Sequence, residues 1–295
     1  MSKPAIGFIG LGLMGAAMVE RLQSLGYGVT VLGNVTRHRV EAAVARGAVE
    51  AADGRGAAEG ADIVMLCLDT SASVESRMRG PDGVIAGLKP GAVVIDFGTS
   101  LPDSTKALAA EVTAAGGVML DAPLGRTPTH AVDGLLNIMC AGDEAAFAKV
   151  KPVLEDLGEN VFHLGEIGAG HTIKLINNFF AMTTANAMSE AFAMADKAGV
   201  PRQSLYDVMS AGPLRSGMMD FVTAYALEGD AGKLAFSVRN AAKDVGYYGQ
   251  MAEGLGAETI MSRCARAALT EAVEDGRGDD LVPQMVDFYA KRFGG

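Results

Sequence analysis

The chain has 295 residues, 49% of them apolar, and a formal net charge of −10, a length that suits two domains or one large one. The acidity, without any Lys/Arg-rich run, argues against a nucleic-acid surface, and no apolar run approaches the roughly 18 residues of a membrane-spanning helix. Three cysteines, Cys67, Cys140 and Cys264, are far apart and odd in number, so no disulfide framework is expected and the compartment is expected to be the reducing cytoplasm. Residues 1–4 lead straight into a strand pattern, without the basic and apolar regions of a secretory leader.

Residues 5–10 read as a short buried strand that runs into Gly10-Leu11-Gly12-Leu13-Met14-Gly15, a G-x-G-x-x-G. A helical pattern follows with Met14, Ala17, Met18, Leu22 and Leu25 on one face, and residues 29–32 form the next strand. Strand, glycine turn, helix and strand within about 30 residues form a dinucleotide-binding fingerprint. The first glycine permits the tight turn, the second lets the backbone approach a pyrophosphate, and the third lets helix pack close to strand. The helix N-terminus stabilises the phosphate charge. Beyond the second strand an acidic residue would favour NAD. Asn34 stands there instead, followed by Val35, Thr36, Arg37, His38 and Arg39. With no carboxylate and two arginines near a 2′-phosphate, NADP is favoured over NAD; alternatively Arg37 and Arg39 are solvated helix residues.

A helix over 39–46 and a strand over 48–51 follow. Residues 63–68 are an apolar run, a buried parallel strand, ending in the polar cluster Asp69-Thr70-Ser71. Ligands of open α/β sheets lie at such strand ends. Residues 93–96 are the next strand; beyond it Thr99 is a candidate neighbour of the nicotinamide, or Thr99 or Ser100 caps a helix beginning near Pro102. Residues 118–122 are the last clear parallel strand. Pro123 and Pro128 make residues 123–130 a shaped loop. In it Arg126, between Gly125 and Thr127, is either a two-pronged clamp for a carboxylate, sulfonate or phosphate or a surface salt bridge, and His130 is a packing residue. Strands over 135–141 and 160–164 and a helix over 144–157 complete a first domain of residues 1–164, with residues 165–295 as the second.

The second domain reads as helical. A helix over residues 170–198 begins behind Gly168 and Gly170, and Lys174, Asn177 and Asn178 at i, i+3 and i+4 project from nearly one face. Small and methionine side chains on more than one face suit burial and subunit contact, so a homodimer or homotetramer is expected. Helices are expected over 205–210, 215–228, 237–254 and 258–274. Lys243-Asp244 reads, taken alone, as an exposed ion pair of little worth. His38, His163 and His171 lack metal-ligand spacing, so no metal site is expected.

Four ordered motifs span the chain: Gly-Leu-Gly-Leu-Met-Gly at 10–15, Asp-Ala-Pro at 121–123, Gly-x-Gly-x-x-x-Lys-x-x-Asn-Asn at 168–178 and Lys-Asp at 243–244. In these the sequence resembles the β-hydroxyacid dehydrogenase family, which includes 3-hydroxyisobutyrate dehydrogenase and tartronate semialdehyde reductase. The resemblance implies an α/β Rossmann domain, doubly wound on a mostly parallel sheet, with an all-α C-terminal domain. It implies a catalytic Lys174 oriented by Asn178, Lys243 on cofactor and substrate, and Leu68, Thr99 and the 10–15 loop on the cofactor; Asp69, from the polar cluster at the strand end, is a further cofactor-binding candidate. Gly125, Arg126, Thr127 and Asn177 are the further substrate-binding candidates.

The chain departs from the family where Leu124-Gly125-Arg126-Thr127 replaces the usual Val-Ser-Gly-Gly after Asp-Ala-Pro. That loop resembles the 3-sulfolactaldehyde reductase branch, where a Gly-Arg-Thr loop meets a sulfonate. Gly98 replaces a Ser or Thr of the family, Pro128 and Ala181 replace hydroxyl residues of that branch, and the branch favours an acidic residue at Asn34. The implied reaction is reversible reduction of a short anionic semialdehyde with NAD(P)H, Lys174 acting as general acid or base. Tartronate semialdehyde, succinic semialdehyde and 3-hydroxyisobutyrate remain alternative substrates. A non-catalytic dinucleotide-binding protein is the alternative class, against which the presence of Lys174 argues.

Overall fold

The computed structural model describes residues 3–33 and 36–294. The chain forms two compact units, Met1–Lys174 and Leu175–Gly295.

The first unit is built on six short strands, β1 (Ile6–Ile9), β2 (Val29–Leu32), β3 (Val49–Glu50), β4 (Ile63–Leu66), β5 (Val93–Asp96) and β6 (Val118–Asp121). They lie in the order β3-β2-β1-β4-β5-β6, all parallel. Alternate side chains enter two separate cores: Ile6, Phe8, Ile63, Met65, Val93 and Ile95 face one, and Ile9, Val64, Leu66 and Val94 the other. A sheet buried on both faces needs the continuous apolar runs that these strands carry. The crossovers are α1 (Leu13–Ser24), α2 (Arg37–Ala45), α3 (Gly54–Ala58), α4 (Ser71–Met78), α5 (Val84–Gly87) and α6 (Pro102–Ala114). Strand order reverses between β1 and β4, and at such a switch point two connections diverge and leave a crevice beyond the strand ends.

A second, three-stranded sheet follows, ordered β7 (Leu124–Gly125), β8 (Leu136–Cys140) and β9 (Gly158–His163), with α7 (Pro128–Asp133) and α8 (Glu144–Leu157) beside it. The β7–β8 pair is antiparallel and the β8–β9 pair parallel. Residues 123–130 are therefore more regular than their prolines suggest. Pro128 sits in the first turn of α7, where a missing N–H costs nothing and its fixed φ favours the helix.

The second unit is helical. The helix α9 (Ala169–Lys197) begins within the first unit and continues through 29 residues, roughly 44 Å at 1.5 Å per residue. It is followed by α10 (Arg202–Ser210), α11 (Gly217–Glu228), α12 (Val238–Gly254), α13 (Met261–Ala272) and α14 (Met285–Arg292). Met182, Ala185, Met188 and Phe192 of α9 share a core with Met219, Val222, Val245, Leu269 and Val286. The sequence reading stops at residue 274 and misses α14. That helix buries Met285, Val286, Phe288 and Tyr289, and the Tyr289 hydroxyl donates to Asn186 Oδ1 on α9 at 2.9 Å.

Candidate active site

The loop after β1 has a separate steric reason for each glycine. Gly10 has φ +99°, and a Cβ there would lie 2.4 Å from Cys67 O. A Cβ on Gly15 would lie 2.0 Å from Gly10 O, so only glycine lets α1 start this close to β1. A Cβ on Gly12 would meet nothing within 4 Å. Gly12 is also the N-cap of α1 and supplies no side-chain cap. The open space and the uncapped N–H groups at the start of α1 fit a pyrophosphate. Leu11 is buried, Met14 packs against the core, and Leu13 is exposed. This loop is where the structure supports NAD(P).

Around the switch point, Leu68 packs against the core that holds Ile9, Val64 and Leu66, and Asp69 accepts a hydrogen bond from Ser73 Oγ at 3.1 Å. Thr70 caps α4 through the Ser73 N–H. Neither Thr99 nor Ser100 caps α6: Leu101 is the N-cap, and Ser100 Oγ donates to Asp96 Oδ2 at 2.8 Å. Thr99 is half-buried beyond β5. A Cβ at Gly98 would lie 2.8 Å from Leu68 O, which accounts for glycine where the family carries a hydroxyl residue.

The adenosine end differs from expectation. Asn34 lies outside the described residues. Thr36 is the N-cap of α2 without a side-chain bond. Arg37 grips Glu50 through two bonds of 2.6 and 3.1 Å. Its hydrogen bond holds the Glu50 carboxyl below the usual range. Arg37 is thus already paired with a carboxylate of β3.

In the loop after β6, Arg126 is the single described non-glycine residue with positive φ, at +77°. Its guanidinium donates to Leu135 O at 2.7 Å and pairs with Glu159 at 2.5 Å. Gly125 pairs with Asn137 in β7–β8. Thr127 Oγ1 lies 2.7 Å from His130 Nδ1, so His130 supports the loop.

The start of α9 explains the other glycine motif. Gly168 has φ +91°, and a Cβ on Gly170 would lie 2.3 Å from Met139 O and 2.8 Å from Asp121 Oδ2. Asp121, buried at the end of β6, accepts the Gly168 N–H on Oδ1 and the His171 N–H on Oδ2, both at 2.7 Å. It performs from another strand the work of an N-cap side chain. Lys174 follows on the next turn, half-buried. Asn178, one further turn along, is 7% exposed and donates to Asp244 Oδ2 at 2.6 Å. Asn177 is exposed and donates to Asn178 Oδ1 at 3.3 Å.

The Lys243–Asp244 pair is not an exposed one. Asp244 is 2% exposed and takes Lys243 Nζ at 3.0 Å. A buried carboxylate needs such partners, and Asp244 obtains one from α9 and one from its own helix. Sequence reading names Lys243 and misses Asp244 as the anchor of Asn178. The available signal was a carboxylate in an otherwise small and apolar stretch of α12.

A model described as the NAD binding domain of 6-phosphogluconate dehydrogenase matches residues 5–165, and one described as NAD-binding of NADP-dependent 3-hydroxyisobutyrate dehydrogenase matches residues 168–289. The chain is 32% identical to 2-(hydroxymethyl)glutarate dehydrogenase of Eubacterium barkeri over 94% of its length and 90% of that protein. It is 36% identical to NAD-dependent L-serine dehydrogenase of Pseudomonas aeruginosa over 69% of its length and 68% of that protein. It is similar to the structure of Mycobacterium tuberculosis 3-hydroxyisobutyrate dehydrogenase with L-serine, at 25% identity and a TM-score of 0.84, covering 97% of this chain and 99% of that one. The chain belongs to the 3-hydroxyisobutyrate dehydrogenase family of β-hydroxyacid dehydrogenases. It is an NAD(P)-dependent dehydrogenase acting on CH–OH groups. Among the described residues no helix is long and apolar enough to cross a membrane.

The glycine geometry separates binding from folding. Gly12→Val should leave the melting temperature near that of the parent while weakening NADH and NADPH binding by about tenfold or more, about 1.4 kcal/mol. Gly15→Val should lower the melting temperature itself. Fluorescence titration with both dinucleotides beside thermal unfolding reads the two effects; a Gly12→Val protein with unaltered affinity would refute the pyrophosphate assignment.

Proposed function

We propose that the protein interconverts a terminal aldehyde and a hydroxymethyl group on a short substrate that carries an anionic group, with Lys174 as general acid–base. The observation that carries this reading is the α9 face on which Lys174 and Asn178 stand one turn apart, Asn178 being buried and fixed by Asp244. Bound at the 10–15 loop, a nicotinamide cofactor supplies or accepts the hydride. In reduction, hydride arrives at the carbonyl carbon, the C=O π pair moves to oxygen, and Lys174 as ammonium donates the proton that completes the alcohol. In oxidation the lysine amine takes the hydroxyl proton. Asn178, held through Asp244, orients the lysine or the hydroxyl; Asn177 and Lys243 are assigned to the substrate, and Lys243 also to the cofactor.

The relatives narrow the substrate chemistry. Serine, 2-(hydroxymethyl)glutarate and 3-hydroxyisobutyrate each carry a CH2OH on the carbon that bears a carboxylate. The alcohol formed from 3-sulfolactaldehyde, which the Gly125-Arg126-Thr127 loop favours here, carries the same CH2OH with its anionic group one carbon further along. Arg126 is assigned to the anionic group and exchanges Glu159 for it. Tartronate semialdehyde keeps the relatives' spacing, succinic semialdehyde sets its carboxylate one carbon further from the aldehyde, and NADH and NADPH are both candidate reductants.

We also propose that the protein self-associates through α9. Phe180, Ala187 and Met194 recur every seven residues on its exposed side, with Phe180 71% exposed, which is the spacing of a helix–helix seam. Phe180→Glu should shift the sedimentation coefficient to that of a smaller species; a parent that sediments as a monomer would refute this.

Two measurements test the chemistry. Lys174→Ala should lose turnover by about a hundredfold or more while retaining cofactor affinity, in a spectrophotometric screen of C3 and C4 aldehydes bearing carboxylate, sulfonate or phosphate. Turnover within a few-fold of the parent would sink the assignment. Arg126→Ala should raise KM for the preferred anionic aldehyde by about tenfold or more and leave KM for a neutral aldehyde of equal length nearly unchanged; equal losses would refute the clamp.

A further inference from the structure

The motifs leave one buried cluster without a role. Asp96 and Asp121 end neighbouring strands and are register partners in the β5–β6 pair. Both are buried, as is His171 on the first turn of α9. His171 Nε2 lies 3.7 Å from Asp96 Oδ2 and Nδ1 lies 3.9 Å from Asp121 Oδ2. Two buried carboxylates side by side repel one another when both are ionised, and the imidazole approaches both.

The hydrogen bonds give the ring a direction. Thr105 Oγ1 donates to Leu101 O at 3.2 Å and lies 2.8 Å from His171 Nδ1. That bond ties α6 to α9 whichever of the two atoms donates. His171 Nε2 has no hydrogen-bond partner among the described residues and faces Asp96. Asp96 is itself engaged, by Gly98 N–H on Oδ1 and Ser100 Oγ on Oδ2. The first turn of α9 is therefore fixed twice. Asp121 holds its backbone through Gly168 and His171, and the His171 side chain reaches α6 through Thr105. Gly170 permits the seating, since any Cβ there would strike Met139 O and Asp121. Lys174 stands three residues beyond His171, so a rotation or slide of that turn moves the lysine by a comparable amount.

We propose that Asp121 and His171 are positioning residues for Lys174, setting the rotation and height of the first turn of α9 so that the ammonium meets the developing oxyanion. The proposal rests on Lys174 being the general acid–base. The pair touches neither substrate nor cofactor in this role. Misplacing a reacting group by about 1 Å costs on the order of a hundredfold in rate, so the effect belongs in kcat rather than in binding.

The test compares His171→Ala, His171→Asn and Asp121→Asn with the parent, each normalised to the concentration of dinucleotide-binding sites. The amide nitrogen of asparagine can stand where Nδ1 does and restore the bond to Thr105. His171→Ala is expected to lower kcat about tenfold or more, with KM for the aldehyde within about threefold, and to raise the solvent deuterium isotope effect on kcat as proton transfer becomes limiting. His171→Asn is expected to recover most of kcat. A kcat loss that vanishes after normalisation to binding sites, or one with an unaltered isotope effect, would reduce His171 to a structural residue and overturn the proposal. If Asp121→Asn does not fold, the two His171 variants still decide. A Lys174→Ala enzyme that turns over normally would sink the functional reading; an inactive Lys174→Ala beside an unaffected His171→Ala would sink only this inference.

Discussion

A carboxylate at the end of β6 holds the start of α9. Asp121 is buried, and burial pushes its pKa up; the nearby His171 and the N–H groups of Gly168 and His171 pull the other way without cancelling the shift. A carboxyl whose folded pKa lies above its unfolded value favours the folded state when protonated, and that contribution is lost as pH rises through the folded pKa. Ionised Asp121 is therefore a cost to the fold. What it supplies is a cap: the orphan donors of a long helix are satisfied by a strand, not by the helix's own N-cap residue, which has to be glycine at φ +91°. The choice of glycine at 168 and 170 and of aspartate at 121 is one arrangement seen from two sides.

The same logic runs along the neighbouring strand. Asp96 folds back on the N–H of Gly98 and the hydroxyl of Ser100, and so shapes the turn that carries Thr99. Two adjacent strands thus end in buried carboxylates that organise the chain just beyond the sheet. Burial pushes the nearby Cys67 and Cys140 thiols up to about 12, which keeps them neutral and adds no charge to this edge at neutral pH.

What was legible in the sequence was local. The 10–15 fingerprint, the alternation of apolar runs with helical patterns and the Lys174/Asn178 spacing are properties of contiguous residues, and all are found in the described fold. What was not legible depends on partners distant in the chain. Nothing around Arg37 announces Glu50, nothing around Arg126 announces Glu159 or the Leu135 carbonyl, and nothing around Asn178 announces Asp244. The prolines of 123–130 misled in another way, since Pro128 starts a helix as readily as it breaks one. After residue 274 the spacing of Met285, Val286, Phe288 and Tyr289 carries the helical period of α14.

The two arginines offered for anion recognition illustrate how such partners change meaning. In a chain of net charge −10 an anion is held by local donors or not at all. Arg37 and Arg126 each already hold a carboxylate, at 2.6 and 2.5 Å. Both pairs are exposed enough to be screened by water, and such pairs contribute little to stability, so neither is a barrier that a bidentate phosphate or sulfonate could not exchange. The difference lies in the backbone. Arg37 opens an ordinary helix and can turn elsewhere. Arg126 sits at φ +77°, a conformation that costs a side-chain-bearing residue on the order of 1–3 kcal/mol and persists only where the surroundings demand it. With Gly125 tied to β8 and Pro128 opening α7, the chain on either side fixes that strain, and the guanidinium is aimed by its backbone. The clamp proposed above for the anionic group is therefore assigned to Arg126 and not to Arg37, whose backbone carries no such constraint.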